Sequence, residues 1–266
     1  MTGGQAVLVE RAARTVTLTI NRPEAFNALN AEVLRGLREG VLGAAADSSA
    51  RAVVITGAGD KAFSAGADLK ELQGMSAEAA HETLRAGQRV MREIERAPIP
   101  VIAAVNGVAL GGGFELALAC TFPVLSARAS LGLPESGLGL IPGYGGTQRL
   151  PRAVGPQVAA HLMLTGTRLG AERAYQLGLT PVPPAAPAEL AATAASIAET
   201  IAAQGPRAVR SILSALSASR GAAADAGLEL ETGLAALAVG GTESDEGIGA
   251  FLERRTPAFP DFGEDT

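Results

Sequence analysis

Tryptophan is absent from the 266-residue chain, and aromatic residues make up only 3% of it. The core must therefore come from Ala, Val, Leu and Ile, and the 47% hydrophobic content supplies it. The length suits one large domain, or one domain with a small appendage. The single cysteine, Cys120, excludes an intramolecular disulfide and a cysteine-cluster metal site, and reads as small core filler. Only two histidines occur, His81 and His161, with no H-x-x-x-H or H-E-x-x-H spacing, which argues against a zinc hydrolase. A basic excess is also missing. The formal charge is −5, without runs of like charge, which argues against nucleic-acid and acidic-membrane partners. Met1–Ala6 lacks both a basic and an apolar leader region, so no secretory signal is expected. The apolar stretch 98–120 is interrupted by Asn106, Glu115 and a glycine run, which makes it a poor spanning helix. A soluble cytoplasmic protein is the expectation.

What is present centres on Pro100–Cys120. Val101 to Val105 reads as a buried strand, Asn106-Gly107 as a turn, and Gly111-Gly112-Gly113 leads into a helix entered near Phe114. Glycine lets the backbone approach a ligand closely. A helix start leaves N–H groups unpaired and carries partial positive charge. Together these suit an oxyanion, with the carboxylate of Glu115 one turn away. A phosphate cradle is the competing use of such a turn, but no Gly-Lys-Ser/Thr follows.

Along the rest of the chain, Val7–Glu10 and Val16–Ile20 alternate like two strands of a hairpin or meander. Asn21–Asn30 breaks the pattern with Pro23 and with asparagines suited to turns and helix caps. Leu29, Val33, Leu37 and Val41 then recur at helical spacing from Ala28 onward. Arg51–Thr56 predicts a short buried strand and 57–61 a turn. His81–Arg96 predicts a helix stopped by Pro98 and Pro100. Thr121–Ser126 predicts a strand, Ala127–Leu133 an extended segment, and 157–164 and 171–179 helices. Pro181–Pro187 is a proline-rich connector, and Ala188–Ala250 is helical in pattern. Strand–helix alternation stops near 180, which predicts an α/β core followed by a helical C-terminal part.

Six pieces in order carry a resemblance. They are Asn21-Arg-Pro-Glu-Ala-Phe-Asn-Ala-Leu29, Phe63-Ser-Ala-Gly-Ala-Asp-Leu69, Pro100–Leu118, Pro134-Glu135, Gly139–Leu150 with its Ile-Pro-Gly-Tyr-Gly-Gly, and Asp245–Arg255. On these the chain resembles the crotonase, or enoyl-CoA hydratase/isomerase, family. The resemblance implies a spiral of ββα units (1–180), which binds acyl-CoA and performs catalysis. It also implies a helical region (188–266) that serves trimerisation, in homotrimers or dimers of trimers. It implies hydration of a trans-2-enoyl-CoA to a 3-hydroxyacyl-CoA through an enolate. CoA is then part of the substrate, and no separate cofactor or metal is expected.

By the same resemblance the backbone N–H groups of Ala67 and Gly112 form an oxyanion hole, a task suited to donors fixed in advance. Glu115 and Glu135, twenty residues apart, match the family's paired glutamates. Glu115 positions and deprotonates water, and Glu135 delivers a proton to C2. Two carboxylates around one water do not both ionise easily, so one keeps a proton. Ala65, Asp68 and Leu69 match the segment that contacts the CoA adenine, and Arg22 the residue near the CoA end. Tyr144 is placed at the acyl pocket.

The chain departs from the family pattern at Thr121, where Asp is usual, and at Leu131, where Phe is usual. Thr180–Pro184 and Gly249 also differ. These bear on pocket shape and packing more than on reaction class. The alternatives are Δ3,Δ2-enoyl-CoA isomerisation led by Glu135, another crotonase-type reaction on an acyl-CoA thioester, and a non-catalytic assembly subunit.

Overall fold

The computed structural model describes residues 5–221 and 223–261. Met1–Gly4, part of the stretch read for a leader, and the end of the 188–266 region lie outside them.

An N-terminal hairpin, β1 (Val7–Ala12) and β2 (Thr15–Ile20), is followed by α1 (Ala31–Ala46). The helix begins three residues later than the periodicity predicts. Asn30 stops the helical backbone there, and its Oδ1 accepts from Val33 N at 2.9 Å as the cap. Leu29 instead bridges to Ala67.

The chain then repeats one pattern. β3 (Ala52–Gly57) and β4 (Ala62–Ser64) lead through the one-turn α2 (Leu69–Leu72) to α3 (Ala77–Glu95). β5 (Val101–Val105) and β6 (Val108–Leu110) lead to α4 (Gly112–Ala119). β7 (Phe122–Leu125) and β8 (Ser130–Gly132) lead through a 3-10 turn, Glu135–Leu138, to α5 (Gly146–Val154) and α6 (Pro156–Thr165). In each turn the first strand joins one sheet, ordered β1-β2-β3-β5-β7, and the second joins another. That second sheet is completed by β9 (Leu169–Gly170), just before α7 (Ala171–Gln176). From β2 to β7 the first sheet is parallel. This is the crotonase-type spiral of ββα units.

The uninterrupted apolar runs of β3 and β5 follow from burial on both faces. Val53, Ile55, Val101 and Ala103 face the main core, whereas Val54, Ile102 and Ala104 face a second cluster. That cluster is closed by Leu190, Ala194 and Ala198 of α8 (Leu190–Ala202). Helices α9 (Pro206–Ser219), α10 (Ala224–Val239) and α11 (Thr242–Glu253) complete the helical C-terminal region. Pro123 is accommodated because β7 is the edge strand of its sheet. Thr121 also has a role: its hydroxyl accepts from Val101 N at 3.0 Å.

Two buried asparagines tie the turns of the spiral together. Asn106 donates to the Gly57 and Gly59 carbonyls and accepts from Gly57 N. Asn27 donates to the Ala58 and Ala62 carbonyls. Both therefore hold the β3–β4 turn, and through it the segment 65–69 that follows.

Two further differences from expectation concern helices. α3 starts at Ala77 rather than at His81 because Ser76 caps it, its hydroxyl accepting from Ala79 N at 3.2 Å. α5 was not expected at all, since its sequence starts with glycine and carries Pro151 in its interior.

Candidate active site

The two glycine-bearing segments meet where β4 and β6 end. Gly66 has φ +103° and Gly111 φ +49°, conformations a side chain resists. A Cβ on Gly66 would also stand 2.7 Å from the Leu110 carbonyl oxygen. This close crossing brings the Ala67 and Gly112 amides together, because the Cβ position of Gly112 lies 3.3 Å from Ala67 N. The Ala67 N–H donates to no main-chain acceptor among the described residues. Gly112 is the first residue of α4, so its N–H has no intrahelical acceptor. The result is a pair of adjacent, preorganised donors at the positive end of a helix.

Glu115 lies one turn along α4 and is 1% exposed. Its Oε1 accepts from Tyr144 N at 2.8 Å and from Gly146 N at 2.6 Å. Burial is the main cause that raises its pKa, to about 7. The amide of Gly146 pulls it back, the charge of Glu135 pushes it up further, and the Tyr144 amide and Arg149 favour the ionised form. Glu135 starts the 3-10 turn after Pro134. Its pKa is raised by burial and opposed only by its own backbone amide. Its Oε2 is buried without a hydrogen-bond partner among the described residues. A Cβ on Gly111 would come within 3.0 Å of Glu135 Oε1, which places this carboxyl against the glycine segment. Two carboxyls thus share one site with different supports: one is clamped by two N–H donors, the other has a buried oxygen without a partner among the described residues, and burial favours the protonated form of each.

Both glutamates line a cavity of about 640 Å³, part of it open to solvent, together with Ala65, Gly66, Ala67, Leu69, Gly112 and Tyr144. Its remaining wall is apolar, including Leu72, Leu84, Leu110, Leu138 and Ile141. A predominantly apolar cleft with a few convergent polar groups is the usual form of a small-molecule site. The Tyr144 ring is buried and packs over Gly112, the Gly112 Cβ position lying 3.0 Å from its Cδ2. Burial and the neighbouring carboxylates raise its phenol to about 12, so it stays neutral.

Of the residues expected at the site, Ala65, Ala67, Leu69, Gly112, Glu115, Glu135 and Tyr144 come together. Arg22 and Asp68 are not among those lining the cavity. Arg22 donates to Asp68 Oδ2 at 3.0 Å and to the Ala28 carbonyl at 2.9 Å. That bond holds the Asp68 carboxyl below its usual range. The pair therefore braces the 65–69 segment from behind. Sequence reasoning missed the Tyr144 and Gly146 amides that hold Glu115. It also missed Gly87 of α3, which makes room for the Tyr144 ring. The Gly-Tyr-Gly-Gly run was the available signal for the first; a lone helical glycine gives none for the second.

The chain belongs to the enoyl-CoA hydratase/isomerase family, whose model matches residues 10–262. It is 47% identical over 173 residues to the crotonyl-CoA hydratase of Syntrophomonas wolfei, a stretch covering 65% of this chain and 66% of that relative, just under two thirds of its length. To the 2,3-dehydroadipyl-CoA hydratase of Escherichia coli it is 41% identical over 254 residues, 95% of this chain and 98% of the other. The crystal structure of an enoyl-CoA hydratase from Bacillus anthracis superposes with a TM-score of 0.92 at 40% identity, covering 96% of this chain and 99% of that one. Among the described residues no helix is long and apolar enough to cross a membrane.

Proposed function

We propose that this protein hydrates a trans-2-enoyl-CoA to a 3-hydroxyacyl-CoA. The observation that carries the reading is the placement of two buried carboxyls, Glu115 and Glu135, beside the paired Ala67 and Gly112 amides in one apolar cavity. The names of its relatives support the substrate class.

In this reading the thioester oxygen accepts from Ala67 N–H and Gly112 N–H. Glu115, its Oε1 clamped by two amides, presents the other carboxylate oxygen to a water. As the water oxygen bonds to C3, Glu115 takes a proton from it, and the C2–C3 π electrons pass into an enolate. The negative charge grows on the oxygen that the two amides hold, where fixed donors stabilise it most. Glu135, neutral at the start, gives its proton to C2. The product leaves with both elements of water, and proton transfer from Glu115 to Glu135 restores the site.

The CoA moiety runs along Ala65–Leu69, a segment braced by Arg22 and Asp68, and the acyl chain passes Tyr144. CoA is part of the substrate, and no further cofactor enters. The protein acts in the cytoplasm as a homotrimer or dimer of trimers. The supporting feature is the set of exposed apolar side chains on the C-terminal helices, among them Leu237, Ile248, Phe251 and Leu252.

The test is loss of the conjugated thioester absorbance when the purified protein meets crotonyl-CoA. Glu115→Gln and Glu135→Gln should each reduce hydration by roughly 10²-fold or more. Turnover like that of the wild type in either variant would rule this mechanism out. The carboxyl of Glu135, buried and unpartnered at Oε2, also suits Δ3,Δ2-enoyl-CoA isomerisation. That reaction would survive Glu115→Gln, which separates the two readings.

A further inference from the structure

Behind the Glu115 clamp lies a chain of charges that the proposed chemistry does not use. Arg149 of α5 donates through Nη1 to the Tyr144 carbonyl at 2.8 Å. Through Nη2 it donates to Glu95 Oε2, also at 2.8 Å. The other oxygen of Glu95, at the end of α3, accepts from Arg220, the residue that ends α9. The side chains of Arg149 and Glu95 are 12% and 15% exposed. Gly145, between the two clamping amides, lies against the guanidinium, since a Cβ there would collide with Arg149 Nη1.

We propose that Arg149 is a positioning residue for Glu115. Its guanidinium fixes the Tyr144–Gly146 turn, the turn's two amides fix the carboxylate, and Glu95 with Arg220 fixes the guanidinium from α3 and the C-terminal helices. The planar fork is suited to this because it can grip a carbonyl and a carboxylate in fixed directions at once. The chain couples the helical C-terminal region to the water-activating group through five hydrogen bonds, and Arg149, Glu95 and Arg220 do not line the cavity that holds both glutamates.

The inference rests on the reading of Glu115 as the base, and its test keeps the two apart. The groups facing Glu115 are Glu135 from the 3-10 turn, the Tyr144 phenol and Arg149. Arg92, Glu95, Arg96 and Arg152 line a groove together with Arg149, and Arg220 pairs with Glu95. The strands β4, β5, β6 and β7 packed against α4 carry no charged residue.

Protonation of Glu115 can be followed without substrate, by infrared titration of the carboxyl band that disappears in Glu115→Gln. Arg149→Met should move the midpoint up by roughly half a pH unit or more, because a positive charge is removed. Glu95→Gln should move it down, because Arg149 then acts uncompensated. Both should lower kcat for crotonyl-CoA roughly 10- to 100-fold, with KM changing much less, as expected when a reacting group is misplaced. A packing role alone would leave the midpoints unmoved. Unchanged midpoints in folded Arg149→Met and Glu95→Gln overturn the proposal. If Arg149→Met does not fold, the near-isosteric Glu95→Gln decides it alone. Should the wild type hydrate no enoyl-CoA, the functional reading fails while the infrared midpoints still decide the positioning role.

Discussion

At pH 8 the Glu115 carboxylate is ionised in a site largely shielded from water, which sets up a conflict between stability and activity. Its pKa rises from 4.5 to about 7 on folding, chiefly through burial. The folded state therefore holds this proton more tightly than the unfolded one. The stabilisation is complete below about 4.5 and is lost as pH rises through about 7. Glu115→Gln keeps an oxygen for the two clamping amides but removes the charge. Denaturant unfolding should find the variant more stable than the wild type at pH 8, by up to roughly 3 kcal/mol, with the gap closing towards pH 4.5. A gap independent of pH would contradict the burial argument. Activity should run the other way. With Glu115 as the base, kcat/KM for hydration should fall by roughly tenfold per pH unit below about 7. A profile flat down to pH 5 would remove Glu115 from that role.

Among the elements, α3 illustrates what a helical pattern conceals. Val90, Met91 and Ile94 mark its buried face, and Gly87 looks like a weak point on it. In the structure Gly87 is where the Tyr144 ring enters. An added Cβ would fall within 2.7 Å of Tyr144 Cδ1 and Cζ and nearer still to Cε1. Gly87→Ala should therefore destabilise by about 1–3 kcal/mol through overpacking. It should also lower turnover, since the displaced ring belongs to the residue whose amide holds Glu115. Gly43 of α1 is the contrast, because it is exposed and has nothing within 4 Å of its Cβ position. Gly43→Ala should stabilise by about 0.5–1 kcal/mol, with turnover unchanged. Thermal melts and crotonyl-CoA turnover of the two variants check both statements. The elements most legible in sequence were those with one continuous signal: the Thr-Val alternation of β2, the apolar runs of β3 and β5, and the spacing of α1. Helix α5 was hidden by the glycine at its start and by Pro151, which a helix tolerates only when its surroundings hold it.

For the whole molecule, the outer surfaces of α10 and α11 present the next test. Leu228, Leu237 and Val239 on α10 and Ile248, Phe251 and Leu252 on α11 are all more than half exposed. Exposed apolar surface of this kind marks an interaction site. Sedimentation velocity should show a species of three or six chains. Paired substitution Leu237→Glu with Phe251→Glu should shift it towards the single chain; a wild-type monomer at micromolar concentration would refute the proposed assembly. The same scale separates what sequence could and could not decide. By itself the sequence determined the family, the alternation of strands and helices, and the segments that carry the glycines and glutamates, because each is written in a local pattern of residues. Only the tertiary structure decided that Arg22 pairs with Asp68 rather than lining the cavity, that Gly87 receives Tyr144, and that Arg149 stands behind the Glu115 clamp. Those contacts join residues far apart in the chain, such as Glu95 and Arg220, separated by 125 positions. No local periodicity encodes them; they exist only once the spiral closes and brings its turns into register.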